Sequence, residues 1–269
     1  MKSFRRLLLL IPIASLFGVF ANPASPQLVA ADLFPLQSGN EWTYLENGVS
    51  PLTQQVLDDF EVVNGISTFV IVDLDGEFPG STLNLTNDSN GLRLHQVFLP
   101  GPEDPPDTTL IFIPPLIMLH AAVDAGNMII SDGTVNLTVE GSGTFGLSYT
   151  TVASVVGSEQ VTVPLGTFDA VRVDSTLRIF GNLMGQPFDE SSSGTDWYGF
   201  EVGPVKSTSE ANISELVHTN VPEPSATSLA YCALATLMLL VGKGPRPMVT
   251  PKHEAPGTLD SEGFVSSRT

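Results

Sequence analysis

The chain has 269 residues, with 11 lysines and arginines against 29 aspartates and glutamates, and therefore a formal net charge of −18. This acidity excludes a nucleic-acid partner, because DNA- and RNA-binding proteins need a basic surface that displaces counterions from phosphates. The single cysteine excludes an intramolecular disulfide and a multi-cysteine zinc site, so the 42% of hydrophobic residues must supply an ordinary core.

Residues 1–21 predict a secretory signal peptide. Three basic residues precede an uncharged apolar stretch that ends in small residues at Ala21, and this order is typical of a signal cleaved by signal peptidase. The apolar stretch is short for a bilayer, which disfavours the alternative of an anchor helix. We expect cleavage after Ala21 and a proline-containing leader over residues 22–31.

Residues 32–217 predict one exported β-rich domain. Period-two segments rich in Val, Ile, Thr and Phe alternate with Gly, Asn, Asp and Pro, a pattern typical of half-buried antiparallel strands. These segments are 42–45, 55–63, 68–74, 82–85, 92–98, 134–140, 145–155, 159–163, 170–179 and 206–216. We predict an all-β fold, either a curved antiparallel sheet or a sandwich, with at most one short helix, for which the candidate is 116–123.

Two short patterns predict local structure inside this domain. Pro164 and Gly166 stand between alternating apolar runs, which predicts a hairpin. Trp42 and Tyr44 lie two residues apart and share one face of a strand, and we expect Trp42 to anchor the core rather than to form a ligand platform. A turn-like spacing, apolar-x-x-Gly-Asn-x-apolar, occurs at 36–42 and again at 123–129, either by chance or through an internal duplication.

Three motifs of the domain carry a family resemblance. They are F-P-L-x-x-G-N-x-W-x-Y at 34–44, V-T-V-P-x-G-T-F-D-A-V-R-V at 161–173 and W-Y-x-x-x-V-G-P-V-K at 197–206. Their order resembles that of a broad set of secreted β-rich bacterial proteins of unassigned activity, some of which are called TapB-like. The resemblance implies a curved sheet similar to lipoprotein-carrier folds and brings no catalytic residues with it.

The candidate metal ligands are Asp73, Asp75 and Glu77, three carboxylates around a glycine turn that resemble the hard oxygen ligands of calcium. The alternative is an exposed acidic hairpin turn, since the spacing lacks that of a complete EF-hand loop. His95 lies on an alternating strand and is interpreted as a residue of the sheet surface.

No catalytic constellation is visible in the sequence. A G-x-S-x-G elbow is absent, and Cys232 lies inside an apolar run rather than beside a histidine or a carboxylate. We predict that the protein is not an enzyme, with no catalytic residues, no cofactor and no cofactor-binding residues.

The C-terminal part predicts a membrane segment. Residues 218–225 form a linker that contains Pro222, Glu223 and Pro224, and the uncharged run 226–242 follows it. Seventeen helical residues span roughly 25 Å, slightly less than a hydrocarbon core, so we expect a marginal transmembrane helix rather than a buried C-terminal helix. Basic residues follow it, and the composition of 243–269 predicts a disordered tail.

The proline-flanked glutamate, the apolar run and the basic residues resemble the PEP-CTERM sorting signal of exopolysaccharide-producing bacteria. The resemblance implies recognition by an exosortase, which is an integral-membrane cysteine protease or transpeptidase, and cleavage near Pro222, Glu223 and Pro224. The chain departs from the family by continuing for 27 residues from Lys243.

These features together predict an exported, non-enzymatic protein of the cell surface or extracellular matrix, anchored in the membrane before processing. The implied partners are signal peptidase and the secretion machinery, an exosortase-like enzyme, the membrane through 226–242, and exopolysaccharide. One alternative is a binding module that holds a lipid or another apolar ligand in a curved sheet. Another is a polysaccharide-acting hydrolase, which requires two facing carboxylates in a cleft.

Overall fold

The structure is a computed structural model that describes residues 28–101 and 106–221. Almost all of these residues belong to antiparallel strands. In chain order the elements are β1 (Leu28–Val29), α1 (Ala30–Leu33), β2 (Glu41–Glu46), β3 (Ser50–Val63), β4 (Ile66–Asp73), β5 (Thr82–Asp88), β6 (Gly91–Leu99), β7 (Thr108–Leu119), β8 (Ala122–Val123), β9 (Met128–Val139), β10 (Gly143–Val163), β11 (Gly166–Leu183), β12 (Gln186–Gly199), β13 (Gly203–Ser209) and β14 (Ile213–Thr219).

Twelve of these strands close into a barrel in the order β10-β11-β12-β13-β14-β2-β3-β4-β5-β6-β7-β9, while β1 and β8 form a separate two-stranded sheet. Within this ring β14, the last of the described strands, pairs with β2, which lies near the beginning of the described chain. This pairing places Leu216 opposite Tyr44. The all-β prediction with one short helix is confirmed for the described residues. The curved sheet closes on itself, so it forms neither an open sheet nor a two-sheet sandwich.

The predicted helix at 116–123 is wrong. Residues 116–119 complete strand β7, and β8 occupies Ala122–Val123. In the barrel, Leu116 lies opposite Leu94 and Leu119 opposite Leu92, and both of these β7 leucines are buried in the core, with a register shift between the two pairs. A short apolar run fits a buried strand as well as a helix, and pairing with β6 decides between the two. The short helix of the structure is α1, at the end of the segment predicted as a leader.

The predicted hairpin at Pro164 is confirmed. Val163 pairs with Gly166, so Pro164 and Leu165 form a two-residue loop between β10 and β11. These two strands are longer than the sequence pattern predicted. Strand β10 runs through both of the predicted segments 145–155 and 159–163, and a bulge between Val155 and Gly157 lies where the two segments join. The pattern missed β12 altogether, because its first ten residues are mostly polar and exposed on both faces.

Side chains that point into the barrel form two hydrophobic clusters. In the larger cluster Trp42 is fully buried, and its ring lies 5.6 Å from that of Phe34, which follows α1. The smaller cluster consists of Phe112, Leu116, Val135, Leu147 and Tyr149, and in it the Phe112 and Tyr149 rings meet edge to face. The prediction that Trp42 anchors the core is confirmed.

The two similar turns of the sequence make the same backbone hydrogen bonds. The N–H of Gly39 donates to the carbonyl of Val56 and that of Gly126 to the carbonyl of Val155, at 2.9 and 2.7 Å. The carbonyls of Asn40 and Asn127 in turn accept from the N–H of the same two valines, each at 2.9 Å. Each turn therefore docks on the second strand of the hairpin that it begins, so the shared sequence spacing corresponds to a shared turn geometry.

The outer surface is strongly acidic. All four cationic side chains of the described residues, leaving histidine aside, pair with a carboxylate: Arg93 with Asp88, Arg172 with Asp174, Arg178 with Asp189, and Lys206 with Glu215. Most of the other carboxylates have no cationic partner, so the surface repels polyanions.

Several predicted segments lie outside the described residues. They are the signal peptide 1–21 with Ala21, the sorting motif at Pro222, Glu223 and Pro224, the apolar run 226–242 and the tail 243–269. No helix in the part of the chain that the structure does describe is long and apolar enough to cross a membrane.

Candidate functional site

The predicted calcium ligands lie in the connection between β4 and β5, where two of them are committed to protein hydrogen bonds. Asp75 accepts from the backbone N–H of Thr53 and, at 3.0 Å, from its hydroxyl. Asp73 accepts from the Gln54 amide at 2.9 Å and from the Ser81 hydroxyl at 2.5 Å. These contacts tie the connection to β3.

Glu77 lines a shallow surface hollow that it shares with Glu46. The pKa of Glu46 is raised by partial burial and then by the negative charges of Glu77 and Asp73. Over residues 28–101 and 106–221 no group of three or more His, Cys, Asp or Glu side chains is arranged to hold a metal ion. Asp73 and Asp75 thus serve as hydrogen-bond acceptors for neighbouring protein groups.

The interpretation of His95 as a surface residue is wrong. Its side chain is 1% exposed, and its Nε2 lies 2.9 Å from the Thr86 hydroxyl. Burial, followed by the positive charge of Arg93, lowers the pKa of the imidazole, which therefore stays neutral at neutral pH. The β6 register shifts between Leu94 and Gln96, and this irregularity interrupts the alternation on which the surface assignment depended.

The most distinctive feature of the interior is a pair of adjoining cavities. The larger, of about 250 Å³, has apolar walls that include Phe34, Leu52, Ile71, Leu83 and Leu85. The smaller, of about 170 Å³, is walled mainly by aliphatic side chains of β6, β7, β10 and β11. Both contain Met118, Asp196 and Tyr198, so the cavities meet at these three residues. We call the two cavities together the lumen.

Asp196 is the carboxylate of the lumen. It lies two residues before Tyr198 on β12 and opposite Ser207 on β13. Burial raises the pKa of its carboxyl, and a hydrogen bond with the Ser207 side chain opposes that shift. The negative charge of Asp196 in turn contributes to raising the pKa values of Tyr44 and Tyr198, for which burial is the main cause. The chemistry of the junction is thus one carboxyl and two phenols in apolar surroundings.

The Tyr44 hydroxyl already has a partner, since it donates to the carbonyl of Pro204 at 3.0 Å. Asp196 has no cationic partner, because none of the ion pairs among the described residues includes it. A carboxyl placed in this way retains acceptor capacity that a ligand can use.

The sequence analysis missed Asp196, although a signal was present. Alternation over 194–199 places Asp196 on the same face as Tyr198, and an acidic residue on the aromatic face of a strand is the exceptional case that marks a functional candidate. The segment was interpreted as a structural motif, and the polar first half of β12 concealed the strand.

The outer face of β10 to β13 carries a second concavity, an open groove of about 560 Å³ lined mostly by serines and threonines, with Asp174 and Glu210. The Asp174 carboxylate is fully engaged: the Arg172 guanidinium donates to both oxygens at 3.0 and 3.1 Å, and the Thr195 hydroxyl donates at 2.8 Å. These hydrogen bonds lower the pKa of Asp174, with that from Arg172 as the largest cause. A carboxylate held in this way is poorly placed to act as an acid or a nucleophile.

No protein-family model matches this chain, and no curated protein matches it. Three solved structures show distant similarity. A candidate lipoprotein from Parabacteroides distasonis ATCC 8503 is 16% identical, with a TM-score of 0.43 over 70% of this chain and 98% of its own. A candidate exported protein with a YmcC-like fold from Bacteroides fragilis NCTC 9343 is 14% identical, with a TM-score of 0.39 over 70% and 98%.

The third is the hypothetical lipoprotein YmcC from Escherichia coli K12, which is 10% identical, with a TM-score of 0.35 over 74% of this chain and 91% of its own. All three TM-scores are below 0.5, so no function is transferred from these proteins.

Proposed function

We propose that this protein is an exported, non-catalytic protein of the cell surface or extracellular matrix that binds a small apolar ligand in its lumen. The observation that carries the binding function is the pair of cavities that meet at Met118, Asp196 and Tyr198 inside the barrel. Small-molecule sites in proteins are typically concave and apolar with a few placed polar groups.

The export part of the proposal is supported by both ends of the sequence. The N-terminal segment has the order of a signal peptide, and the proline-flanked glutamate at 222–224 resembles a PEP-CTERM sorting signal. On this proposal signal peptidase removes 1–21, the run 226–242 holds the chain in the membrane, and an exosortase-like enzyme releases the barrel toward the exopolysaccharide of the surface.

Mass spectrometry of the mature chain tests export. We expect an N-terminus at residue 22 and, in a strain that contains an exosortase, a C-terminus before residue 226. In the same strain without the exosortase, the C-terminus should stay at Thr269. An intact chain that begins at Met1 and remains in the cytoplasm would overturn the export proposal, and a C-terminus at Thr269 in both strains would overturn the sorting step.

The size of the lumen supports a small ligand. An engineered apolar cavity of about 150 Å³ holds benzene, and the larger cavity here exceeds that volume at about 250 Å³. Phe34 and the leucines of the wall offer contacts to hydrocarbon, while the carboxyl of Asp196 offers a polar contact. A barrel filled completely by its own side chains would leave no such space.

Binding in the lumen is tested with toluene and NMR of protein labelled with ¹³C in the methionine methyl groups. Met118 lines both cavities, whereas Met128 and Met184 are 62% and 59% exposed and serve as internal controls. We expect a saturable shift of the Met118 methyl at toluene concentrations of about 1 mM, the affinity range of small apolar probes, with Met128 and Met184 unchanged. Equal shifts of all three, or none, would contradict the binding function.

The absence of catalysis remains part of the proposal. A polysaccharide-acting hydrolase needs two facing carboxylates at about 5–10 Å. Among the described residues that line the lumen, Asp196 is the single carboxylate, and in the outer groove Asp174 is committed to Arg172 and Thr195. The lumen therefore offers no such pair, and in the outer groove the engagement of Asp174 disfavours it as a partner of Glu210.

A further inference from the structure

We infer that the lumen selects ligands that carry a hydrogen-bond donor partway along an apolar body, rather than at one end. This inference rests on the proposed function, because it names the ligand class of the same site. The matching chemistry is a secondary hydroxyl or an amide N–H with hydrocarbon on both sides.

The position of Asp196 is the first argument. It belongs to the wall of both cavities and therefore lies where they meet. On one side, the larger cavity continues among apolar side chains that include Phe34, Ile71 and Leu85. On the other side, the smaller one continues toward Leu116 and Leu177. A molecule that occupies the whole lumen passes Asp196 in its middle and meets hydrocarbon on either side.

The unmet hydrogen-bonding capacity of Asp196 is the second argument. All four ion pairs of the described residues lie elsewhere, and the Ser207 side chain is the hydrogen-bonding group that acts on this carboxyl. A carboxyl offers about four acceptor sites when ionised and still accepts when protonated. A ligand donor is therefore satisfied in either protonation state, and a half-buried carboxyl that gains a partner loses part of its desolvation cost.

Apart from Ser207, several side-chain donors that line the lumen are engaged elsewhere. The Gln54 amide donates to Asp73, and the Thr151 hydroxyl donates to the carbonyl of Thr176. The Tyr44 hydroxyl donates to the Pro204 carbonyl at 3.0 Å, and the walls on both sides of the junction are mainly apolar. A polar group at the end of a ligand would lie against this hydrocarbon and lose its hydrogen bonds to water without replacement, which costs binding free energy. The lumen therefore favours a donor in the middle of the molecule.

Two isomeric alcohols test the inference, with the ¹³C-methyl signal of Met118 as the readout. Nonan-5-ol and nonan-1-ol have the same atoms and differ in where the hydroxyl lies. We expect the wild-type chain to bind nonan-5-ol about tenfold more tightly, the ratio that one hydrogen bond of usual net strength provides. In Asp196→Leu, which replaces the carboxyl with hydrocarbon, we expect the two affinities to agree within about twofold.

The Asp196→Asn variant keeps an acceptor oxygen at the same place, so it should retain the preference for nonan-5-ol. Equal affinities of the isomers for the wild-type chain would overturn the inference, and so would a preference that survives in Asp196→Leu. The wild-type comparison decides alone if the leucine variant does not fold. Toluene binding without any preference between the alcohols would leave the proposed function intact, whereas no shift of Met118 with toluene or either alcohol would overturn both.

Discussion

Replacing Trp42 with alanine is expected to lower the free energy of unfolding by about 3–5 kcal/mol, the usual cost of removing a buried tryptophan. The side chain is fully buried in the larger hydrophobic cluster, beside Phe34. Its Nε1–H donates to the carbonyl of Val202 at 2.6 Å, and its ring packs against Phe34. The substitution therefore leaves a large cavity and an unpaired buried carbonyl.

Urea unfolding followed by fluorescence measures this loss, because Trp197 remains as a reporter in the variant. The matched control is Trp197→Ala, which removes the other tryptophan of the chain. Trp197 is only partly buried: it packs against the edge of the core, donates a hydrogen bond to Glu159 and has two cations above its ring. We expect that control to lose about 1 kcal/mol. Losses of similar size in the two variants would show that Trp42 does not anchor the core.

Replacing Gly91 with alanine is expected to be at least as damaging, with a loss of about 4 kcal/mol or more, which is the range of exceptional single substitutions. Gly91 begins β6 with φ at +99°, a conformation that side-chain-bearing residues rarely adopt. A Cβ there would lie 2.1 Å from the carbonyl oxygen of Leu119 and 2.8 Å from the backbone nitrogen of Ala121. Both atoms belong to the backbone, so the connection after β7 would have to move.

Gly126→Ala is the control that separates the destabilisation caused by the steric clash from the destabilisation caused by the positive φ alone. Gly126 has a similar φ of +86°, but an added Cβ would meet nothing within 4 Å. We expect Gly126→Ala to lose about 1–2 kcal/mol, the cost of a left-handed residue, and to keep a cooperative unfolding transition. The two variants are compared by thermal unfolding under one buffer condition. If Gly91→Ala were no less stable than Gly126→Ala, the close approach of β6 to the Leu119 carbonyl would be refuted.

The two proposals depend on different parts of the chain and can fail separately. Export and sorting depend on the terminal segments, whereas ligand binding depends on the space around Asp196. A barrel that is exported and sorted but whose Met118 methyl never responds to a probe would be a surface protein without a small-molecule site. Binding without sorting would leave the lumen as the functional feature and the C-terminal segment without its proposed role.

What the sequence by itself determined about this protein is local. Alternation of apolar and polar residues predicted most strands, since a half-buried strand needs only its own period of two. Pro164 and Gly166 predicted their hairpin because turn chemistry acts over four residues. The spacing of Trp42 and Tyr44 placed them on one face for the same reason, and both are buried.

Only the tertiary structure decided the features that arise from pairing between distant segments. Closure of the barrel places β14 beside β2, more than 160 residues away along the chain. His95 is buried where the register of β6 is irregular. The run 116–119, which had been predicted as part of a helix, is a strand because it pairs with β6. Asp196 became a candidate for function only where the fold brings Met118 of β7 to the face of β12 that carries Asp196 and Tyr198. Such contacts depend on which strands become neighbours, and a local pattern carries no information about its partner across the barrel.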